Sequence, residues 1–200
     1  MTTATTPKRK ITRSEILPIA DYANERKTLR RDLVQKKKLR RLEVGPVATF
    51  YFENYETMWH QIHEMLYIEK GGEEQIEDEL RAYNPLIPQG SELVATVMFE
   101  IDEPQRRATF LGKLGGVEDH MFLEVNGQRY DSKPEADVDR TSADGKASSV
   151  QFIHFPLDET GAAAFKQPGC RVVLGIDHPE YGHMVVMPEP VRGALAGDLD

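Results

Sequence analysis

Asn54-Tyr55-Glu56-Thr57-Met58-Trp59-His60-Gln61-Ile62-His63-Glu64-Met65-Leu66 is the stretch on which the fold turns. Tyr55, Met58, Trp59, Ile62, Met65 and Leu66 recur at i, i+3, i+4 and i+7, the period of a helix with one apolar face. Gly71-Gly72 supplies a stop, so a helix is expected over about 54–70. Glu73 to Ala82 reads as a second, acidic helix, ended by Asn84-Pro85 because the residue before proline is pushed out of the helical region. After Gly90 the period changes from 3.6 to 2, and that change separates a helical part, 11–88, from a mainly β part, 90–200.

Outward from this pivot, Leu93 to Ile101 alternates as a strand. Met121 to Val125 and Gln128 to Tyr130 flank Asn126-Gly127, the dipeptide favoured in two-residue hairpins. Val150 to Phe155, Arg171 to Ile176 and Met184 to Met187 read as further strands, with a turn at His178-Pro179-Glu180-Tyr181-Gly182 and a closing helix at about 189–196. Ser132 to Ser148 is polar and reads as a mobile loop. Upstream, Val47 to Phe52 leans towards strand on its β-branched and aromatic content. Tyr22, Ala23, Arg26, Leu29 and Leu33 set a helix over about 21–42, and Thr12 or Ser14 can cap a short first turn. Residues 1–10 are expected to be a disordered basic tail. Helices first and strands afterwards argue for one α+β domain over 11–200, with the N-terminal helices packed on an antiparallel sheet formed by the C-terminal half.

Composition narrows the class. In 200 residues with 40% hydrophobic content there is no apolar run near the ~20 residues of a membrane helix and no secretory leader, so a cytoplasmic protein is expected. The lone Cys170 excludes a disulfide framework and any multi-cysteine metal site, and it reads as an inert thiol. Charge is uneven. Residues 1–42 carry 13 Lys and Arg against four acids, a surplus of +9, which leaves −17 for residues 43–200 within the overall −8. Such polarity fits a basic helix neutralised by its own acidic body, a surface for a partner protein or, less readily, a nucleic-acid footprint with no reading motif.

Chemistry is sparse. Glu56, His60 and Glu64 stand at successive i+4 steps, with Glu53 and His63 nearby, so imidazole and carboxylate donors share one helix side and suit iron, zinc or manganese. His178 and His183 with Asp177 and Glu180 form a second polar cluster in a turn. Gly112 to Gly116 lacks the spacing of a phosphate loop, and nucleotide binding is not supported. Asn84-Pro85-Leu86-Ile87-Pro88 reads as a stiff turn that fixes chain direction. Arg40 and Arg41 can pair with Glu53 or Glu56 inside the fold.

Arg40-Arg41, Val44-Gly45-Pro46, Phe52 to Thr57, Gln61 to Leu66, Tyr83 to Pro88, Ser148 to Phe152 and Leu195 to Leu199 together resemble the bacterial family known as domain of unknown function 3501, with a departure at His60 and His63. The resemblance implies an accessory role beside rubrerythrin-like proteins and iron-sulfur oxidoreductases of the heterodisulfide-reductase type, near peroxide defence or thiol redox chemistry. The expectation is therefore a binding or assembly protein with no cofactor of its own, docking such a partner through Arg40, Arg41, Glu53, Asn54 and Glu64. The alternative is a small metal-binding enzyme or sensor holding one transition-metal ion on Glu56, His60 and Glu64.

Overall fold

The structure is a computed structural model that describes residues 8–136 and 145–200. Helix α1 (Ile19–Lys37) leads into strands β1 (Arg41–Val44) and β2 (Ala48–Phe52), then helices α2 (Tyr55–Glu69) and α3 (Gln75–Tyr83). Strand β3 (Glu92–Phe99), helix α4 (Pro104–Leu111) and strands β4 (Met121–Val125), β5 (Gln128–Asp131), β6 (Lys133–Pro134) and β7 (Val150–Pro156) follow. Helix α5 (Glu159–Lys166), strands β8 (Val172–His178) and β9 (Tyr181–Val186) and helix α6 (Glu189–Leu195) complete the order.

The α+β class and the antiparallel pairing agree with the sequence. The strands nevertheless divide into two sheets, β1-β2-β3-β7-β6 and β5-β4-β8-β9, and two of them come from the helical half. Leu93, Ala95, Val97 and Phe99 of β3 turn one way to meet Met121, Leu123, Leu174 and Ile176 of the second sheet in the larger core. Val94 of β3 and Phe152 of β7 turn the other way, into a second core with Met58, Ile62 and Leu66 of α2 and Leu80 of α3. Alternate residues of β3 thus serve two cores, as the period of a strand allows. Ile62 is fully buried and Leu66 nearly so, each worth about 1.5–3 kcal/mol of apolar burial.

Local chemistry explains the boundaries. Asn54 caps α2 by accepting from Thr57 N at 3.0 Å, while Thr57 Oγ1 accepts from Asn54 N at 2.9 Å. Asn126 (φ 50°) and Gly127 (φ 88°) both occupy the left-handed region that a two-residue hairpin of this type needs. Gly45 is required twice over. Its φ is +72°, and a Cβ there would lie 2.6 Å from the ring of His183 and from the hydroxyl oxygen of Tyr181.

Several expectations are corrected. The helix read over 21–42 ends at Lys37, because residues 41–44 alternate exposed and buried in the strand period, with Leu42 and Val44 inside. Of the expected tail, residues 1–7 lie outside the described residues, but Arg9 donates to the carbonyls of Pro88 (2.9 Å) and Asp198 (2.7 Å) and so is held in place. Of the expected loop 132–148, residues 137–144 lie outside the described residues, while Lys133 and Pro134 pair with His154 and Ile153 of β7. Helices α4 and α5 were not foreseen. Among the described residues no helix is long and apolar enough to cross a membrane.

Candidate functional site

The polar side of α2 is covered by α1. Tyr22, 1% exposed, is the buried residue of that helix, and its ring lies 4.9 Å from His63 and 6.3 Å from Trp59. One turn on, Arg26 clamps Glu64 with both Nε and Nη2, each at 2.8 Å, and lays its guanidinium 4.6 Å from the Tyr67 ring. Tyr22 donates its hydroxyl to the same carboxylate at 2.6 Å. The Arg26 hydrogen bonds hold Glu64 at a pKa of about 2, against burial, which acts the other way. His63 has a fixed tautomer. Nδ1 lies 2.7 Å from the Trp59 carbonyl and must donate, which leaves Nε2 to accept from Leu17 N at 3.0 Å. Burial lowers the pKa of both His60 and His63, which favours neutral rings.

The expected metal stripe does not assemble. Glu64 is taken by Arg26 and Tyr22, exposed Glu56 by Lys36 Nζ at 2.7 Å, and His60 Nε2 lies 3.3 Å from the Tyr22 hydroxyl. Among the described residues no group of three or more His, Cys, Asp or Glu is placed to hold a metal ion. Sharing one helix face is not convergence, because α1 supplies each of these groups with its own partner.

The residues first read as partner-facing separate in the same way. Arg40 is buried. It donates to the carbonyls of Phe52 and Glu53, both at 3.0 Å, and pairs with Asp198, whose carboxyl burial pushes up despite the pull of Arg40. Arg41 stays exposed beside Glu43. Asn54 is the helix cap already described. Glu53 is 5% exposed and its backbone is tied on both sides, since its N donates to Val94 O at 2.8 Å and its carbonyl accepts from Arg40.

Glu53 lines a cleft of about 290 Å³ between the outer face of the first sheet and the helices. Tyr51, Thr96 and Phe152 form the sheet wall, Met58, Gln61 and Tyr83 the helical wall, and Lys37 joins them from the end of α1. Its Oε1 accepts from Thr96 Oγ1 at 2.8 Å, while Oε2 is buried with no hydrogen-bond partner among the described residues. A buried acceptor left unpaired costs about 1–3 kcal/mol, and more when it carries charge. Sequence reasoning placed Glu53 near the helix stripe. The wall that faces it comes from β3, β7 and α3 and left no sequence signal.

The remaining candidates have structural partners. His178 accepts from Glu180 N on Nδ1 (3.2 Å) and donates from Nε2 to the Gly115 carbonyl (3.3 Å), while Asp177 pairs with Arg129 (2.7 Å) and His120 (3.2 Å). His183 packs on the Tyr181 ring instead. Cys170 is half-buried, and burial raises its pKa, away from a reactive thiolate. Asn84 exchanges two hydrogen bonds with Ile11, at 2.7 and 2.9 Å, so the proline turn anchors the start of the described chain.

Together the fold and the site define an α+β protein of two packed antiparallel sheets, with a helical cover and beneath it a small, mostly apolar cleft whose charged lining residues are Glu53 and Lys37. The chain belongs to the family described as "Protein of unknown function (DUF3501)", which matches residues 10–199. A solved structure of a protein of unknown function from Burkholderia pseudomallei K96243 is 36% identical and superimposes with a TM-score of 0.89, over 96% of this chain and 100% of that one. No curated protein matches the chain.

Proposed function

We propose that this chain is a cytoplasmic accessory protein that binds or assembles an acidic protein partner through α1. The observation that carries this reading is the state of that helix. Of its 19 residues only Tyr22 is buried, and Lys27, Arg30, Arg31 and Val34 occupy one exposed stripe at helical spacing, with Val34 56% exposed. A basic stripe around an apolar centre suits a partner whose surface is acidic with an apolar spot, since complementary charge steers encounter and fixes register. Much of the basic N-terminal charge is neutralised internally, by Glu15, Glu73, Glu77, Glu64, Glu56 and Asp198. Among the described residues Lys27, Arg30 and Lys37 form no ion pair within the chain. The family resemblance supports a rubrerythrin-like protein or an iron-sulfur oxidoreductase as the partner, with the redox centre held on the partner.

The test is direct calorimetric titration of the purified chain with each of these two candidates from a bacterium that encodes all three. Association with one of them should weaken on raising ionic strength from about 0.01 to about 0.15 M. It should weaken further in a Lys27→Glu, Arg30→Glu, Arg31→Glu variant, whose substitutions all lie on the exposed face. Binding that ignores both changes, or no binding to either protein, would refute the reading.

A further inference from the structure

The cleft around Glu53 lies under the helices, apart from the exposed stripe of α1. Three features define what it would hold. Its volume, about 290 Å³, is at the small end of the range for ligand pockets. Its walls combine aromatic and aliphatic surface from Tyr51, Met58, Tyr83 and Phe152 with the side-chain amide of Gln61. Its one acid, Glu53, carries an oxygen that is buried and, among the described residues, unpartnered, while the other oxygen is fixed by Thr96. An acidic acceptor held in place among apolar walls selects a positively charged donor with an apolar body, because a neutral donor leaves charge uncompensated and an anion is repelled.

We propose that this cleft is a binding site for a compact organic cation, an alkylammonium or guanidinium whose head donates to Glu53 Oε2 and whose carbon body lies against Tyr83 and Phe152. Thr96 acts as a positioning residue. Its hydroxyl donates to Oε1 and so leaves Oε2 as the acceptor that the ligand meets. Lys37 is the nearest rival for the seat. It lines the same cleft, and no ion pair joins it to Glu53.

The experiment is a ¹H–¹⁵N NMR titration of the full chain with n-butylammonium, n-butylguanidinium and the neutral isostere pentan-1-ol. The cations should cause saturable shifts at the backbone of Glu53 and Thr96 and at the side-chain amide of Gln61, and the alcohol should not. Glu53→Gln should weaken binding about tenfold, as loss of one charge-assisted hydrogen bond predicts. Gln61→Trp, which fills the cleft from α2 and leaves Glu53 unchanged, should abolish binding and covers the case in which the Glu53 variant folds poorly. A lysine carrying blocked α-groups is the last probe. Binding tighter than that of butylammonium would place the cation on a protein side chain, and weaker binding would place it on a free amine. Absence of saturable shifts, equal response to the alcohol, or undiminished binding in Glu53→Gln would overturn the proposal. So would a Lys37→Ala, Glu53→Gln double-mutant cycle in thermal unfolding whose coupling matches the full effect of Glu53→Gln, since Lys37 would then be the resident cation.

Discussion

Replacing Glu64 with glutamine should loosen α1 from the rest of the protein, by an amount that depends on pH in a defined direction. The carboxylate receives Arg26 through two 2.8 Å hydrogen bonds and Tyr22 through one of 2.6 Å, and its pKa falls from 4.5 to about 2. At about 1.4 kcal/mol for each pKa unit, that fall corresponds to about 3 kcal/mol. Both partners keep some contact with water, at 26% and 14% side-chain exposure, so screening reduces the expected loss to about 1–2 kcal/mol. In a chain of this size that is about 2–8 °C in Tm. The sign follows from the depressed pKa. The stabilisation is complete above about 4.5 and is lost as pH falls towards about 2. Urea unfolding of wild type and Glu64→Gln should therefore differ most above about pH 4.5 and draw together only as pH falls towards about 2. Hydrogen exchange should place the lost protection in α1 and at the facing turn of α2. A difference that persists unchanged at low pH, or none at neutral pH, would show that the Arg26 clamp does not hold the helix.

Two further perturbations follow from buried charge. Arg40→Met would leave Asp198 inside the protein without its cation and should destabilise by about 3–5 kcal/mol in denaturant titration, with an Arg40→Met, Asp198→Leu double variant recovering a large part of the loss. His154 sits with Nδ1 3.0 Å from Glu92 and Nε2 2.9 Å from Glu135, an arrangement in which both nitrogens donate only if the ring is imidazolium. Burial alone would lower its pKa, but the two carboxylates outweigh burial and raise it above 6.5. Its contribution is therefore full below about 6.5 and is lost as pH rises through the higher folded value. The unfolding free energy of wild type should fall relative to His154→Gln as pH rises above about 6.5 and through the raised folded value, and parallel curves would refute the pairing.

How much of this was readable in the chain differs element by element. Helix α2 and the β4–β5 hairpin were legible because an apolar stripe, a capping Asn54 and an Asn126-Gly127 turn are local signals. Strand β1 was not, because Arg41 and Glu43 on its exposed side continued the charge pattern of the basic helix before it. Helix α5 hid in a short Ala-rich segment whose cap, Asp158 accepting from Gly161 N at 2.6 Å, is a single residue. The i+4 spacing of Glu56, His60 and Glu64 was real, but which cations would take those carboxylates was decided by α1. The unpaired oxygen of Glu53 was out of reach altogether, since it depends on which side chains of β3, β7 and α3 fold over it.

The two-sheet core also bears on the order in which the chain can fold. Tyr181 donates its hydroxyl to Val44 O at 2.7 Å and accepts from Val47 N and Ala48 N at 3.2 Å, contacts that join segments 137, 134 and 133 positions apart. Arg40 waits longer still, for an Asp198 that lies 158 positions away. Helices α2 and α3 are close in sequence and can pair early, whereas β1 and β2 must stay apart from their opposing sheet until the last third of the chain has been made. Loop closure on that scale slows folding, and it leaves the apolar face of Phe50 and Phe52 open to the solvent in the meantime. A nascent chain of this protein is therefore most exposed to aggregation just before its C-terminal strands leave the ribosome.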